Sequence, residues 1–390
     1  MNRQVDVMIV GAGPVGLALA AELRRKGVDA LIIDKNRDPA QTSRACVIHA
    51  RTLEVLEPLG VTAQLLAAGV KVPTFRIRDR DRVLVSIDFS DIESAYPFTL
   101  MYPQDRTERV LLATLERLGG SVQRPSELID FHARQDGIVA NVRIDAAVVP
   151  IEARWLVACD GMHSTVREQA GIAFDGAAYE QGFVLADVGM RWPLSREEVS
   201  LFYSPQGLVV VAPLPDDRFR IVATDAAAPE HPSRDYVQAL LDARGPSVEP
   251  ARVHEVAWSS RFHIHHRVAR TARSGPVLLC GDAAHVHSPA GGQGMNTGIQ
   301  DAMSLGPLLA DVARGGDEAV LDDWALSRHR VAADVVAMTD RMTRMATLTS
   351  PLAQSFRNAA VALLGHVPPV RAAAARRLAE LDAPSARRST

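Results

Sequence analysis

The chain opens with apolar and polar positions arranged as a strand, a helix and a second strand. Residues 4–10 are mostly apolar and predict a buried strand, and residues 17–26 carry the period of a helix that ends at Gly27. Residues 29–33 predict a second buried strand, which ends at Asp34. These elements form one βαβ unit, whose crossover we expect to be right-handed.

Further along the chain, helical patterns recur with recognisable ends. Residues 49–59 and 106–118 predict amphipathic helices, and each is followed by a glycine suited to a C-cap, Gly60 and Gly119. From residue 325 to about residue 382 the pattern is helical throughout. We expect a frayed tail beyond that point.

Two regions instead alternate with the period of a strand. Residues from about 75 to 100 and from 183 to 224 mix apolar and polar positions, with turn signals between the runs. They predict an antiparallel sheet inserted between segments of the first domain. Residues 277–280 then predict a buried strand, and residues 294–309 predict a helix.

These elements predict an α/β fold with a doubly wound domain and an inserted sheet domain. The predicted doubly wound domain comprises residues 1–75, 101–180 and 270–325, the inserted domain residues 76–100 and 181–269, and a C-terminal helical segment and tail residues 326–390.

The amino-acid composition and net charge limit the kinds of molecule that the protein is expected to bind. The 390 residues are 47% hydrophobic and 23% charged with a formal net charge of −3, which gives no reason to expect nucleic acid or an anionic membrane. No apolar run reaches the roughly 18 residues of a membrane span, and the first residues show no secretory pattern, so we expect a cytoplasmic protein. Cys46, Cys159 and Cys280 lack the spacing of metal ligands, so we expect free thiols and no metal.

Gly11, Gly13 and Gly16 occupy the turn between the first strand and the first helix. In dinucleotide-binding folds the first such glycine allows the tight turn, the second lets a pyrophosphate approach, and the third lets helix and strand pack. The free N–H groups and the dipole at the helix start stabilise the diphosphate. Asp34 ends the second strand, where a carboxylate can bond the adenosine ribose, so this segment predicts a dinucleotide site.

Two later segments specify the dinucleotide. Asp160 and Gly161 follow an apolar strand and precede a helix start, an arrangement that also occurs as a plain turn with a capped helix. Asp282 follows another buried strand and precedes a glycine-rich loop that opens a helix. A carboxylate there can bond ribityl hydroxyls, and the N–H groups of residues 294–296 can hold negative charge on a reduced flavin ring.

In this order and spacing, the three segments resemble the p-hydroxybenzoate-hydroxylase family of flavoprotein monooxygenases. The resemblance is closest to members that act on phenols, phenylpropionates and aromatic polyketides, and it covers residues 4 to about 330. It implies that the doubly wound domain is a Rossmann-like FAD-binding domain and that the inserted sheet belongs to a substrate domain. Some such hydroxylases carry a thioredoxin-like C-terminal domain, which we expect these 390 residues not to include.

Carried over residue by residue, the resemblance implies roles for particular side chains. Arg44 and Gln104 match the family's flavin-contacting arginine and glutamine, Asp160 would serve both FAD and the nicotinamide cofactor, Asp282 would take the ribityl chain, and Pro289 would lie beside the isoalloxazine. Arg44 and Pro289 are therefore the expected catalytic residues. The expected cofactor-binding residues are Gly11, Gly13, Pro14, Val15, Gly16, Asp34, Lys35, Arg44, Gln104, Asp160, Gly281, Asp282, Pro289, Gly292, Gly294, Met295 and Asn296.

The resemblance also implies an activity. FAD would be bound non-covalently, NAD(P)H and dioxygen would be co-substrates, and a phenolic or polyketide-like ring would be hydroxylated through a flavin C4a-hydroperoxide. Alternatives on the same fold are Baeyer–Villiger oxygenation, dehydrogenation and halogenation, although the halogenase motif Trp-x-Trp-x-Ile-Pro is missing here. An alternative from another class is a flavoprotein that binds an aromatic ligand without turning it over. We expect a monomer or homodimer whose partner is a small aromatic molecule.

The sequence says less about the substrate side. Tyr203, Val211 and Pro213 lie on the predicted sheet and are the expected substrate contacts, but a tyrosine in a strand is also typical of an apolar core. No counterpart of the family's paired-tyrosine proton relay is located.

Histidines cluster at two places. His263, His265 and His266 have no carboxylate nearby in sequence to complete a metal site, so we interpret them as structural or solvent-facing. His285 and His287 flank the glycine-rich loop, where either proton movement or ordinary hydrogen bonding would suit them.

Overall fold

The computed structural model describes residues 3–39, 43–348 and 350–382, and within them the chain forms nineteen strands and ten α-helices. The strands are β1 (Arg3–Val10), β2 (Ala30–Ile33), β3 (Val47–Ile48), β4 (Val70–Val72), β5 (Thr74–Asp79), β6 (Arg82–Asp88), β7 (Thr99–Met101), β8 (Val122–Gln123), β9 (Ser126–Arg134), β10 (Gly137–Ile144), β11 (Ala147–Ala158), β12 (Phe174–Arg191), β13 (Glu198–Ser204), β14 (Gly207–Pro213), β15 (Arg218–Thr224), β16 (Arg252–Ala269), β17 (Arg273–Ser274), β18 (Val277–Leu279) and β19 (His285–Val286). The helices are α1 (Pro14–Arg25), α2 (Ala50–Leu56), α3 (Val61–Ala68), α4 (Gln104–Arg117), α5 (Thr165–Gln169), α6 (Arg234–Arg244), α7 (Gly294–Ala313), α8 (Ala319–Ala346), α9 (Pro351–Gly365) and α10 (Pro368–Leu378).

The first sheet places β1 at its centre, in the order β17-β18-β11-β1-β2-β8. β1 pairs in parallel with β11 on one side and with β2 on the other, and β11 pairs in parallel with β18. Helices α1 and α7 cover one face and share an apolar core with it. The carboxyl ends of these parallel strands therefore meet at one edge, which is where sheets of this type bind ligands.

The second sheet has the order β19-β16-β12-β15-β14-β13-β5-β6 and is antiparallel except for the β13–β5 pair. Strands β12 and β16 are each 18 residues long and pair along most of their length. Helix α6 packs on one face of this sheet over a separate apolar cluster. A small third sheet joins β3, β7 and β4. The predicted α/β fold with an inserted antiparallel sheet is confirmed.

Several predicted elements differ in detail. The helix expected over 49–59 is α2 followed by a 3-10 turn at Glu57–Leu59, with His49 as the N-cap. The continuous helical pattern expected beyond residue 325 is divided among α8, α9 and α10, because Pro351 and Pro368 can begin a helix but cannot continue one. The antiparallel meander β9–β10–β11 was not predicted.

The proposed domain boundaries remain a prediction. The second sheet begins at Thr74, before the predicted segment 76–100, and its strand β12 begins at Phe174, before the predicted segment 181–269. Within the described ranges, no helix combines the length and apolarity needed to cross a membrane. The described His, Cys, Asp and Glu side chains include no group of three or more placed to hold a metal ion.

A buried ion cluster joins β13 to β5 in the second sheet. Glu198 is 2% exposed, and its Oε1 accepts hydrogen bonds from Arg78 Nη2 at 2.8 Å and from Ser200 Oγ at 2.6 Å. Arg76 binds the other oxygen of the same carboxylate. Arg78 is itself buried, so Glu198 balances a charge that water does not reach.

We expect Glu198→Ala to lower the free energy of unfolding by about 3–5 kcal/mol, because it leaves Arg78 buried without a counter-charge. Urea unfolding followed by circular dichroism measures the change. The matched control is Glu127→Ala, whose ion pair with Arg143 is about half exposed and should be worth less than about 1 kcal/mol. Equal losses in the two variants would contradict this account.

Candidate functional site

The first glycine loop, residues 11–16, joins β1 to α1 at the carboxyl edge of the first sheet. Gly11 has a φ of +103°, and a Cβ there would lie 2.3 Å from the carbonyl oxygen of Cys159. A Cβ on Gly16 would lie 2.0 Å from the carbonyl oxygen of Gly11, whereas a Cβ on Gly13 would meet no atom within 4 Å. Packing therefore requires Gly11 and Gly16, while Gly13 faces open space at the N-terminus of α1, where free N–H groups attract anions.

The three sequence motifs are in direct contact. A Cβ on Gly11 would also lie 2.9 Å from the backbone nitrogen of Asp160. A Cβ on Gly281 would lie 2.9 Å from Val15 Cγ2, and one on Gly298 would lie 3.1 Å from the Cα of Gly281. The starts of α1 and α7 thus converge beside the Asp160 segment.

Asp34 ends β2 next to the first glycine loop, as predicted. Its Oδ2 accepts a hydrogen bond from the Ala12 N–H at 2.8 Å, and its Oδ1 accepts one from the Asn36 N–H at 2.8 Å. Arg124 Nη1 lies 3.1 Å from Oδ1. Asp34 therefore holds the first glycine loop in shape. Arg124, which was not predicted from the sequence, adds a positive charge next to Asp34. Lys35 is exposed beside it.

Asp160 and Pro14 are placed at helix starts. Asp160 Oδ2 accepts from the Val166 N–H at 3.2 Å at the beginning of α5, where Ser164 is the N-cap. The other oxygen, Oδ1, is buried without a hydrogen-bond partner in the described structure. Burial raises the pKa of Asp160. Hydrogen bonds from the Ser164 side chain and from the Val166 N–H oppose that effect. Pro14 fills the first turn of α1.

Asp282 lies on the 3-10 turn Gly281–Ala283 after β18. Its side chain is open to solvent yet closely surrounded by protein, as expected on the floor of a cleft. The surrounding protein raises the pKa of its carboxyl group, and the charges of His285 and Arg44 act in the opposite direction. Arg44 is also exposed, and its charge is close enough to act on the pKa of Asp282.

Gln104 positions the chain next to Arg44. Its Oε1 accepts from the Ala45 N–H at 3.2 Å, and its own N–H donates to Ser43 Oγ at 2.8 Å. Its Nε2 donates to Glu108 Oε1 at 2.9 Å. The Gln104 side chain thus holds the backbone at Ala45, while its backbone N–H holds the Ser43 side chain.

Arg220, which the sequence analysis did not single out, holds the same segment from the second sheet. Its Nε and Nη2 donate to the two carboxylate oxygens of Asp187 at 2.7 Å each, and its Nη1 donates to the Arg44 carbonyl oxygen at 3.0 Å. Burial alone would lower the pKa of the Arg220 guanidinium, but Cys46 and Asp187 raise it above its ordinary value. The alternation of polar and apolar residues in β15 could have indicated that Arg220 points inward. Its partners Asp187 and Arg44 could not be predicted, because they are distant in sequence.

The second glycine loop, residues 289–294, precedes α7. Pro289 is exposed at its start, and Gly292 has a φ of +68°. Asn296 Oδ1 accepts from the His49 N–H at 2.8 Å, and its Nδ2 donates to the carbonyl oxygens of Val47 at 2.8 Å and Gly292 at 2.7 Å. The Asn296 side chain therefore holds the loop in shape, while the first N–H groups of α7 have no intrahelical acceptor.

His287 lies beneath the first turn of α7, which Gly294 and Met295 begin. A Cβ on Gly294 would lie 3.7 Å from His287 Cε1. His287 Nδ1 bonds the Ser288 carbonyl oxygen at 2.9 Å, and Nε2 is buried without a partner in the described structure. Burial lowers the pKa of His287 to about 4, so the ring is neutral and Nε2 is an acceptor.

His285 belongs to a buried ion cluster that anchors the Asp282 turn. Asp301 Oδ2 accepts from His285 Nε2 at 2.7 Å and from the Gly281 N–H at 3.0 Å, and Oδ1 accepts from Arg328 Nε at 2.5 Å. Burial raises the pKa of Asp301, but Arg328 and His285 together hold it below its ordinary value. Asp301 and Arg328 were also missed, because nothing in their local sequence marks a partner.

The three expected substrate contacts lie on opposite faces of the second sheet, and their role stays a prediction: Tyr203 shares the face of Val210 and Ala212, whereas Val211 and Pro213 lie on the other. Tyr203 is buried, with the Arg357 guanidinium 4.1 Å from its ring centre. Val211 packs under α6 on the far face of the second sheet, and Pro213 pairs with Phe219 of the same cluster. Their neighbours Val210 and Ala212 take the near face. Because both faces of β14 are apolar, the alternation of polarity does not show which face is nearer the cleft.

The open space at Gly13, the two converging helix starts and the cleft floor at Asp282 suit an extended anionic dinucleotide. Residues 4–339 match the family described as FAD binding domain, and the chain belongs to that family. FAD is therefore its cofactor.

Named relatives share much of the chain. It is 39% identical over 374 residues to a 6-methylpretetramide 4-monooxygenase of Streptomyces rimosus, covering 94% of this chain and 66% of the relative. It is 35% identical over 349 residues to a pentachlorophenol 4-monooxygenase of Sphingobium chlorophenolicum, covering 87% of this chain and 65% of the relative. The chain thus spans just under two thirds of the length of these relatives.

Solved structures share the fold. A p-nitrophenol 4-monooxygenase from Pseudomonas putida DLL-E4 superimposes with a TM-score of 0.89 at 23% identity, covering 98% of this chain and 100% of the other. An anhydrotetracycline hydroxylase from Streptomyces rimosus superimposes with a TM-score of 0.82 at 32% identity, covering 98% of this chain and 78% of the other.

Gly13→Ala and Gly16→Ala form a matched pair. We expect Gly13→Ala to cost less than about 1 kcal/mol of folding free energy and yet to weaken FAD binding, because its methyl group enters the space at the helix start. We expect Gly16→Ala to cost about 1–3 kcal/mol or more through overpacking. Thermal unfolding without FAD and flavin-fluorescence titration separate the two effects. A Gly13→Ala variant with unchanged FAD affinity would contradict this role.

Asp282→Ala tests the floor of the cleft. A charge-assisted hydrogen bond to the cofactor is worth roughly 1.5–3 kcal/mol, so we expect FAD affinity to fall by about one to two powers of ten. Isothermal titration calorimetry of the folded variant measures the loss. Unchanged affinity would remove Asp282 from the site.

Proposed function

We propose that this chain is an FAD-dependent monooxygenase that hydroxylates a small aromatic molecule with NAD(P)H and dioxygen. The observation that carries the proposal is the convergence of three FAD-binding segments next to an apolar face of the second sheet. Cys46 and Val47, beside Arg44, pack against Val199 and Ala212 of that sheet. Relatives at 39% and 35% identity bear monooxygenase names, which supports the same reaction class.

Each part of the site has a distinct role in this proposal. Gly13 and the start of α1 accept the diphosphate, Asp34 bonds the ribose, and Asp282 bonds the ribityl chain. The N–H groups of residues 294–296 stabilise negative charge on the flavin ring, and Arg44 faces the ring from the other side of the cleft. Bound FAD supplies the redox chemistry, by which the substrate, NAD(P)H, a proton and dioxygen give the hydroxylated product, NAD(P)+ and water.

The second sheet supplies a wall that excludes water. Its strand register places Leu201, Val210 and Val222 on the face that also carries Arg220. Water exclusion matters because it suppresses wasteful side reactions of the reduced cofactor. We infer that the substrate presents an aromatic ring to this wall.

The charges on the same face favour a substrate without a carboxylate. Arg220 on this face is already bonded to both carboxylate oxygens of Asp187 and to the Arg44 carbonyl oxygen. A buried carboxylate needs a matching cation, and Arg220 is already paired with Asp187. We therefore expect phenols or multi-ring phenolic compounds to bind better than benzoates.

We also propose that the protein is cytoplasmic and is a monomer or a homodimer.

The decisive assay follows NAD(P)H oxidation by FAD-loaded protein with phenols, phenylpropionates, multi-ring polyketides and benzoates under isotopically labelled dioxygen. We expect oxidation to rise with a phenolic substrate and the product to gain one labelled oxygen atom, as mass spectrometry would show. The Asp282→Ala variant serves as the cofactor-deficient control. A product lacking two hydrogens would indicate dehydrogenation, an ester would indicate Baeyer–Villiger oxygenation, and binding without oxidation would indicate a carrier.

A further inference from the structure

The last described part of the chain packs against the second glycine loop. We call residues 375–380 the latch. Leu378 and Ala379 lie in an apolar cluster with Ala50 of α2 and with neighbouring side chains of the second sheet. The Leu378 carbonyl oxygen accepts from Gln293 Nε2 at 3.2 Å, and the Ala379 carbonyl oxygen accepts from the Arg51 N–H at 3.3 Å. The latch therefore bonds to both the loop and α2.

Glu380 ends the latch with its side chain turned inward. It is 8% exposed, and its backbone adopts a φ of +61°, which is uncommon for a residue with a side chain. Its Oε2 accepts from Gln300 Nε2, and its Oε1 lies 3.4 Å from Thr297 Oγ1. Gln300 and Thr297 both lie on α7, within two turns of its start.

A chain of hydrogen bonds leads from this carboxyl group to the loop. Thr297 Oγ1 lies 3.1 Å from the Gln293 carbonyl oxygen, and Gln293 is the N-cap of α7. The Thr297 hydroxyl carries one hydrogen, so it donates either to the nearer Gln293 carbonyl oxygen or to Glu380. An uncharged Glu380 carboxyl group attracts that hydrogen less strongly than a carboxylate does and leaves it on Gln293. An ionised carboxylate accepts only, so it would draw the threonine hydrogen away from Gln293.

Among the described residues, no cation forms an ion pair with Glu380. Burial is the main cause that raises the pKa of Glu380 to about 8, with Asp301 acting in the same direction and Gln300, Arg328 and Thr297 opposing it. Most charged groups on the packed elements are bonded to one another: Arg51 with Glu54 on α2, Asp301 on α7 with Arg328 on α8, and Arg376 with Asp382 beside the latch. His49, at the N-cap of α2, has a pKa of about 4 and is neutral. Arg377 in the latch is turned to Met338, whose sulfur lies 3.1 Å from its Nε.

We propose that Glu380 is a positioning residue whose uncharged carboxyl group fastens the latch to the second glycine loop, and that ionisation of this carboxyl group loosens the loop. The role of the loop in holding flavin rests on the function proposed above, but the latch itself does not. Because the group titrates higher in the folded protein than its ordinary value of 4.5, its contribution to stability is full below that value. The contribution is lost as pH rises towards about 8.

The test compares the whole FAD-loaded chain with Glu380→Gln, Glu380→Ala and the control Glu116→Gln, which changes an exposed glutamate on α4. Hydrogen–deuterium exchange of peptides from 289–300 and 375–382 is measured at pH 7 and pH 9, corrected for intrinsic exchange. We expect wild-type protection to fall up to about tenfold at pH 9, since one pH unit beyond the midpoint changes the protonated fraction tenfold. Glu380→Gln should keep its protection at both pH values, and Glu380→Ala should lose it at both.

A second readout is the thermal midpoint from pH 5 to pH 9. The midpoint of Glu380→Gln should rise relative to wild type between pH 5 and pH 8 and then stay level, whereas that of the control should follow wild type. Equal wild-type and Glu380→Gln protection at pH 9, or full protection in Glu380→Ala, would overturn the proposal. Repeating the exchange without FAD keeps this test separate from cofactor binding, because failure to bind FAD would defeat only the proposed function.

Discussion

Backbone atoms of three distant segments touch where the parallel strands of the first sheet end. The carbonyl oxygen of Cys159 lies 2.3 Å from where a Cβ on Gly11 would be, and the Cα of Gly281 lies 3.1 Å from where a Cβ on Gly298 would be. These contacts bring the starts of α1 and α7 side by side, so that both sets of free N–H groups face the same cleft. The positions of Asp34, Asp282 and the second glycine loop all follow from this approach.

The parts of the site that depend on local backbone chemistry could be read from the sequence. Gly11, Gly13 and Asp282 could be placed because a turn, a helix start and a strand end are defined by neighbouring residues. Arg220 could not, because its partners Asp187 and Arg44 lie 33 and 176 positions away. The faces of β14 were undetermined for another reason: both of its faces are covered by apolar layers, so alternation of polarity carries no signal there.

Buried charge around the cleft is handled in two ways. Asp301 and Arg220 remain charged and are surrounded by partners, so their pKa values move away from neutrality. His287 and Glu380 lack such partners, and burial moves their pKa values towards the uncharged forms. The first kind fixes the backbone of Gly281 and Arg44 over a wide pH range, whereas the second kind ties the second glycine loop to the acidity of the solution.

The long pairing of β12 with β16 has a mechanical consequence. Eighteen residues of extended chain span roughly 60 Å, so the two strands form a hydrogen-bonded beam that is stiff along its length. A beam of this kind bends most easily where its ladder is interrupted, and one such step lies between Asp187 and Val188. Asp187 forms an ion pair with Arg220, and Arg220 donates a hydrogen bond to the Arg44 carbonyl oxygen. The interruption in the β12–β16 ladder therefore lies next to the residue that, through Arg220, anchors the backbone of Arg44.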